Sequence, residues 1–334
     1  MINWNNGFSA TYYATRIDPN TWADTTELRV ISGSISRSAD SDLMESADLT
    51  VSEAIGTEEW VRVYLIAQQS GAKQRVPLFT GLVSSPTRDI DGNAFTHKLA
   101  CYSVLKVADD ILLPMGWFAP ARTNGGQLIK ILLQDLPCPV TLEEGSPTIL
   151  SSFVAGDNDS KLSVAQEIAR AINWQIKVNG DGSVRICPKP LTISGTFDNI
   201  ENDIIETKVT DERDIFSIPN VLRVTLDGSA ATARDDDPDS PYSTVTRGRE
   251  VWLQEDAELA AGESLGEYAY RRLKELQKPA RKLNYTRRFQ PDVGVNDLVS
   301  IIYPKQAIGD VFRVVSQSIK LSHGASVTEE VINE

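Results

Sequence analysis

Ile218-Pro219-Asn220-Val221-Leu222-Arg223-Val224-Thr225-Leu226-Asp227-Gly228 opens the stretch whose reading decides the fold. Its β-branched run between Pro219 and Asp227-Gly228 reads as a strand. An Asp-rich loop follows at Asp235 to Asp239, and then a helix from about Ser264 to Gln277. Ser264 and Glu267 have capping-box spacing, and acidic residues crowd the approach at Glu255, Asp256, Glu258 and Glu263. Arg271, Arg272, Lys274 and Lys278 fill the later turns, so both ends complement the helix dipole. Leu265, Ala269, Leu273 and Leu276 fall on one face, and Pro279 is the expected stop. Beyond it Leu283, Tyr285, Arg287 and Phe289 alternate with Lys282, Asn284, Thr286 and Arg288, a strand pattern. Pro291-Asp292-Val293-Gly294-Val295-Asn296-Asp297-Leu298-Val299 and Val311-Phe312-Arg313-Val314-Val315 complete a meander of short strands.

Working back toward the N-terminus, residues 1–105 also read mainly as strands. Glu27 to Ser36, Leu49 to Val51, Trp60 to Ile66, Val76 to Val83 and Ala94 to Tyr102 are separated by Ser70-Gly71, Ser85-Pro86 and the hairpin signal Asp91-Gly92. In the third of these, Val61, Val63 and Leu65 share the core face, and Trp60, Arg62 and Tyr64 are expected on a wetter one. Residues 106–192 have a different texture. Thr123 or Asn124 caps a helix over Gln127 to Leu136, with Leu128, Leu132 and Leu136 along one side and Pro137 ending it. Ser160 or Ser163 caps a second helix whose stripe is Leu162, Ala165, Ala169 and Ile172. Trp174 to Val178, the turn Asn179-Gly180-Asp181-Gly182 and Ser183 to Cys187 make a hairpin. The expected fold is therefore mainly β with an α+β insert. Two small antiparallel β-barrel domains, 1–105 and 193–334, flank a helix–hairpin domain at 106–192, and the last domain carries the long helix at 263–278.

Composition narrows the function. With 41% hydrophobic and 24% charged residues over 334 positions, the chain has the make-up of a folded globular protein. Cys101, Cys138 and Cys187 are far apart with no CxxC pair, which fits small thiols in a reducing cytoplasm. His97 and His323 have no second metal ligand nearby in sequence, which argues against zinc. The N-terminus Met1-Ile2-Asn3-Trp4-Asn5-Asn6 lacks the basic and apolar regions of a secretory signal. The apolar run at Ile111-Leu112-Leu113 is broken by Pro114, too short to span a bilayer. A net charge of -13 disfavours stable binding to nucleic acid and serves solubility.

The candidate chemistry is thin. Asp235-Asp236-Asp237-Pro238-Asp239 lacks the alternating pattern of a calcium loop and reads as a solvated loop. The glycines around Asp181 join two strands and do not open a helix, so they mark a hairpin turn and not a phosphate cradle. There is no G-x-S-x-G, and no cysteine adjoins a histidine. The paired carboxylates Glu58-Glu59 and Glu143-Glu144 point apart on a strand or into solvent in a loop. Arg281-Lys282 and Arg287-Arg288 are expected to pair with acidic loops on a neighbouring subunit. The expectation is a chain that is not an enzyme, with no catalytic, cofactor-binding or metal-ligating residues.

Three features together resemble bacteriophage tail and baseplate hub proteins: Phe79-Thr80-Gly81-Leu82-Val83, which follows an F-x-G-x-I/V strand pattern; the helix–hairpin unit Leu162 to Cys187; and the C-terminal order above. Where such hubs commonly show G-D-x-V, this chain has Asn296-Asp297. The resemblance implies a homotrimeric ring in which two barrels per subunit give pseudo-sixfold symmetry. Such a ring adapts a hexameric tail tube to a threefold tip and encloses the channel for DNA ejection. Its implied partners are further copies of itself, the tail tube or distal tail protein, the tip, spike or central fibre protein, and the tape measure protein. DNA passes only in transit, along a lumen expected to be acidic, and this chain itself binds no membrane. The implied location is the virion tail tip, assembled in the host cytoplasm. Some relatives carry a peptidoglycan-cleaving module, for which the residues up to Glu334 leave no room. The alternative is a carbohydrate- or receptor-binding module at the same tip, using Trp4, Tyr12, Tyr13, Trp22, Trp117 and Phe118 as stacking platforms.

Overall fold

The computed structural model describes residues 2–92, 94–199, 206–213, 215–226, 228–257, 263–277 and 281–333. The chain is mainly β, with short helices, and it divides into two compact units: Met1–Val209 with Asn284–Val331, and Thr210–Leu283 with Ile332–Glu334.

In the first unit, neighbouring strands follow the order Asp24–Leu28, Ser9–Ile17, Trp60–Gln69, Ala72–Val83, Ala94–Ser103, Glu45–Val51 and Val30–Ser38. The last of these pairs antiparallel with Ile308–Lys320, so strands from the two ends of the chain share one hydrogen-bonded sheet. Ile308–Lys320 then pairs with Leu298–Tyr303 and Ser326–Asn333, and the latter with Arg281–Arg288. The reading of Glu27 to Ser36 as one strand needs correcting: a break at Arg29 divides it between Asp24–Leu28 and Val30–Ser38. Ser9–Ile17, absent from the sequence reading, pairs along its whole length with Trp60–Gln69. Pro77 has no N–H for the ladder and sits at a register shift between Val63 and Tyr64 of the facing strand.

The wetter face expected of Trp60, Arg62 and Tyr64 is in fact buried. Trp60 joins the core of the inserted region, Arg62 donates to the turn of its hairpin, and Tyr64 stacks on Tyr13 and donates to Asp24. Trp174–Val178 pairs with Val184–Pro188, and Val140–Leu142 adds a parallel third strand. The turn at Gly180 lies so close to the strand Ala72–Val83 that an added Cβ would fall 2.1 Å from the Pro77 carbonyl oxygen. No residue but glycine fits that approach. The helix capped by Asn124 spans Gly125–Leu132, starting earlier and ending earlier than expected. Its glycines permit this start, because a Cβ on Gly125 would meet Ile172 at 2.9 Å. Its buried stripe is Ile129 and Leu132, continued past the helix by Leu133 and Leu136, while Leu128 is only partly buried. Ser160, not Ser163, caps the second helix, Lys161–Ala171, accepting from the Ser163 amide at 3.0 Å.

The second unit has a core of its own. Ser229–Arg234 pairs antiparallel and Trp252–Asp256 parallel with Val221–Leu226. The helix Leu265–Leu276 lays Tyr268, Ala269 and Leu273 against Leu222, Val224 and Ala233. The capping box of Ser264 and Glu267 is formed. Lys278, Pro279 and Glu258 lie outside the described residues.

Candidate functional site

Two polar constellations in the first unit join segments remote in sequence. The first fastens the inserted hairpin to the N-terminal strands. Arg62 Nε donates to Thr80 Oγ1 at 2.9 Å, Nη1 to Asp24 Oδ1 at 3.0 Å and Nη2 to the Asp181 carbonyl at 2.9 Å. Thr80 Oγ1 in turn donates to the Gly180 carbonyl at 2.9 Å, and the Trp22 indole donates to the Asp181 carbonyl at 3.0 Å. Burial pushes the Asp24 carboxyl up, but Tyr64, Arg75, Arg62 and Thr15 more than reverse this and hold it below the usual carboxylate range. Thus Phe79-Thr80-Gly81 has a physical role: Thr80 binds the turn, and a Cβ on Gly81 would strike the Tyr102 carbonyl at 2.3 Å.

The second is a row of side chains crossing five adjacent strands. Glu45, Arg37 and Gln317 stand directly opposite one another on Glu45–Val51, Val30–Ser38 and Ile308–Lys320. Arg37 lies 3.4 Å from Glu45 and donates at 3.4 Å to Gln317 Oε1. Gln317 Nε2 donates to Glu329 Oε1 at 2.6 Å, and Arg287 clasps Glu329 through Nη2 and Nε at 2.5 and 2.8 Å. Tyr285 donates its hydroxyl to Glu329 Oε2, and burial together with the Glu329 charge keeps that hydroxyl protonated. The Leu78 carbonyl, at the register shift beside Pro77, accepts from Arg37. At the end of the row, burial drives the Glu45 carboxyl up to about 7 against the opposing pull of Arg37. Its Oε1 has no hydrogen-bond partner among the described residues.

This overturns part of the expected basic patch. Arg287 is fully buried and Arg281 pairs with Asp211 at 2.8 Å, so neither is offered to a neighbouring subunit. Arg287 shares its face of the strand with Leu283, Tyr285 and Phe289, all buried, so the alternation holds and only the expected exposure fails. The Asp-rich loop is also less solvated than expected. Asp235 is buried, accepting from Ser240 at 2.6 Å and Gln277 at 2.8 Å, while Asp236, Asp237 and Asp239 are exposed.

Asn296 has φ of 67°, the left-handed conformation that glycine takes freely and Asn tolerates better than most. Asp297 beside it accepts from the Gly294 amide at 2.7 Å and pairs with Lys177 at 3.2 Å. Asn296 therefore holds a backbone conformation that glycine would take without strain.

The other candidate residues do not converge. Glu59 pairs with Arg16 and Glu143 with Arg185. His323 contacts the Ala10 carbonyl, and His97 is buried with no partner for Nε2 among the described residues. No three His, Cys, Asp or Glu side chains gather to hold a metal ion among the described residues. Among the proposed stacking platforms, Trp4 packs on Phe8 and Phe289, Tyr13 on Tyr64 and Trp22 on Trp60. Tyr12 donates to the Ser322 carbonyl, Trp117 packs on the core of the inserted region, and Phe118 is exposed.

No family model matches the chain, and no curated protein does. Solved structures do match it over nearly its whole length. A tail protein from Neisseria meningitidis superposes with a TM-score of 0.70 at 13% identity, covering 97% of each chain. The fold is that of phage tail proteins. The 43 kDa tail protein of prophage MuSo2 from Shewanella oneidensis gives 0.68 at 14% identity, over 97% of this chain and 98% of its own. Prophage tail protein gp18 from Listeria monocytogenes gives 0.54 at 13%, over 97% and 94%. The resemblance to tail hub proteins read from element order thus holds for the fold, with little residue identity to carry it.

Proposed function

We propose that this chain is a structural hub at the tip of a phage or phage-like tail. It would close as a homotrimer whose ring adapts the tail tube to a threefold tip and encloses the exit channel for DNA. The observation that carries this reading is the full-length match to a tail protein, 97% of both chains. The site geometry is in keeping with a structural role: the buried polar side chains of both constellations join strands remote in sequence. The chain works by binding and not by chemistry, with partners in the tail tube or distal tail protein, the tip, spike or central fibre protein, and the tape measure protein.

Trimer closure needs surface to bury, and Leu112, Met115, Phe118, Leu150 and Val154 are all exposed. Phe118 and Val154 face each other across a strand pair. Exposed apolar pairs of this kind mark contact sites. Gold-labelled antibody against the chain, applied to tail particles from cells that carry its gene, tests the reading. Gold confined to the distal end of the tail is the expected result, and particles without label would overturn it. Native mass spectrometry of the chain tests closure separately, with a mass about three times 36.7 kDa expected.

A further inference from the structure

The row Glu45–Arg37–Gln317–Glu329–Arg287 crosses the seam where strands from the two ends of the chain meet. Its members follow the order of the strands that carry them, one from each. Four of the five side chains are among the buried polar groups, and Arg37 is partly exposed. At the Arg287 end every carboxylate oxygen has a donor. At the Glu45 end one oxygen has none among the described residues, and the Arg37 contact is long. The row is thus tight at one end and unsatisfied at the other, and the unsatisfied end is a buried acid.

A buried carboxylate with one weak partner is costly while charged and comfortable when neutral. We infer that Glu45 is a proton-operated latch on its own strand pair: losing its proton loosens the seam between Glu45–Val51 and Val30–Ser38, and regaining it closes that seam. The surroundings fit this role. Beside Glu45 lies a cavity of about 120 Å³, also lined by Arg37, Gln175, Lys177, Leu78 and Asp292. It has room for water, which an ionised Glu45 would draw in.

Other titratable and charged groups face Glu45 from the elements packed against it. Arg37 faces it, and Lys177 and Asp292 share the cavity. Lys177 is engaged by Asp297. The neighbouring strand brings Cys101 and Tyr102, opposite Ala47 and Ser46, and burial pushes the Cys101 thiol up to about 12. Glu329 is two links away and fully clasped.

Opening the seam returns Glu45 to water and to an ordinary carboxyl. Its folded value, about 7, lies above that. The advantage of the closed seam is therefore complete below pH about 4.5 and is lost as the pH rises through about 7. Amide hydrogen exchange on the full chain, corrected for the intrinsic pH dependence of exchange, tests this at pH 5 and pH 8. Amides of Glu45–Val51 and Val30–Ser38 should lose protection by about 100-fold at the higher pH. The loss should vanish in Glu45→Gln, while Val221–Leu226 should respond alike in both proteins. A pH response at the seam that persists in Glu45→Gln, or no response in the wild type, overturns the latch. The Glu45 carboxyl carbon signal of glutamate-labelled wild-type chain gives an independent readout. A titration midpoint near 7 is expected, and one below about 5 overturns the latch even where the variant does not fold.

Discussion

Arg287 and Glu329 meet with no exposed surface on either side chain, Nη2 to Oε1 at 2.5 Å and Nε to Oε2 at 2.8 Å. The guanidinium also lies over the Phe197 ring, 4.4 Å from its centroid. Charge and stacking together fix the strand that carries Arg287 against the one that carries Glu329.

Breaking that pair from one side strands a charge. Arg287→Ala is expected to cost about 3–5 kcal/mol in urea unfolding, because Glu329 is left buried and unpaired. The triple change Arg287→Met, Glu329→Leu and Tyr285→Phe should cost clearly less, since no charge remains to be solvated. Equal losses in the two proteins would show that packing, not the charge, dominates.

At Gly180 the limit is space. Gly180→Ala puts a methyl 2.1 Å from the Pro77 carbonyl, a backbone atom that cannot swing aside. A loss of about 1–3 kcal/mol is expected in thermal unfolding. Gly7→Ala, with nothing within 4 Å of its Cβ, is the matched control and should leave Tm nearly unchanged.

Asn296 offers a test of backbone strain. Asn296→Gly should be neutral or slightly stabilising, and Asn296→Val should destabilise by about 1–3 kcal/mol, because a β-branched residue resists φ of 67°. Chemical denaturation of the three proteins side by side gives the order.

Acid should weaken the junction at Asp24. Its folded carboxyl is held below the unfolded value, so its contribution is present above the unfolded pKa and lost as the pH falls through the folded one. Asp24→Asn is therefore expected to lower stability at pH 7 and to flatten the acid limb from the ordinary aspartate range downward. Thermal melts across that range measure both effects, and an unchanged acid limb would remove Asp24 from the account.

What sequence disclosed here was local. Ser264 with Glu267, Ser160, Asn124 and the hairpin around Asp181-Gly182 act through neighbours a few residues away, and each reads directly from spacing. Ser9–Ile17 escaped notice because its core-facing residues are small, Ala10 and Ala14, and a register shift beyond Thr15 breaks its alternation. Arg62 and Arg287 sit on strands that the sequence predicts, in buried surroundings that it does not. A charge reads as surface unless its partner is known, and here the partners lie 38 and 42 residues away. The polar row was illegible for the same reason, since it depends on which strands become neighbours.

The pairing of Arg37 with Gln317 spans 280 residues of chain. A ribosome adding about 5–20 residues per second takes roughly 15–55 seconds to cover that distance. Throughout that time Val30–Ser38 has its partner Glu45–Val51 on one side and an open edge on the other. Such an edge invites pairing with another nascent chain. The strand dilutes this hazard with Ser32, Gly33, Ser34, Ser36 and Ser38. One polar strand thus stays uncovered on one side until the last tenth of the chain arrives to pair with it.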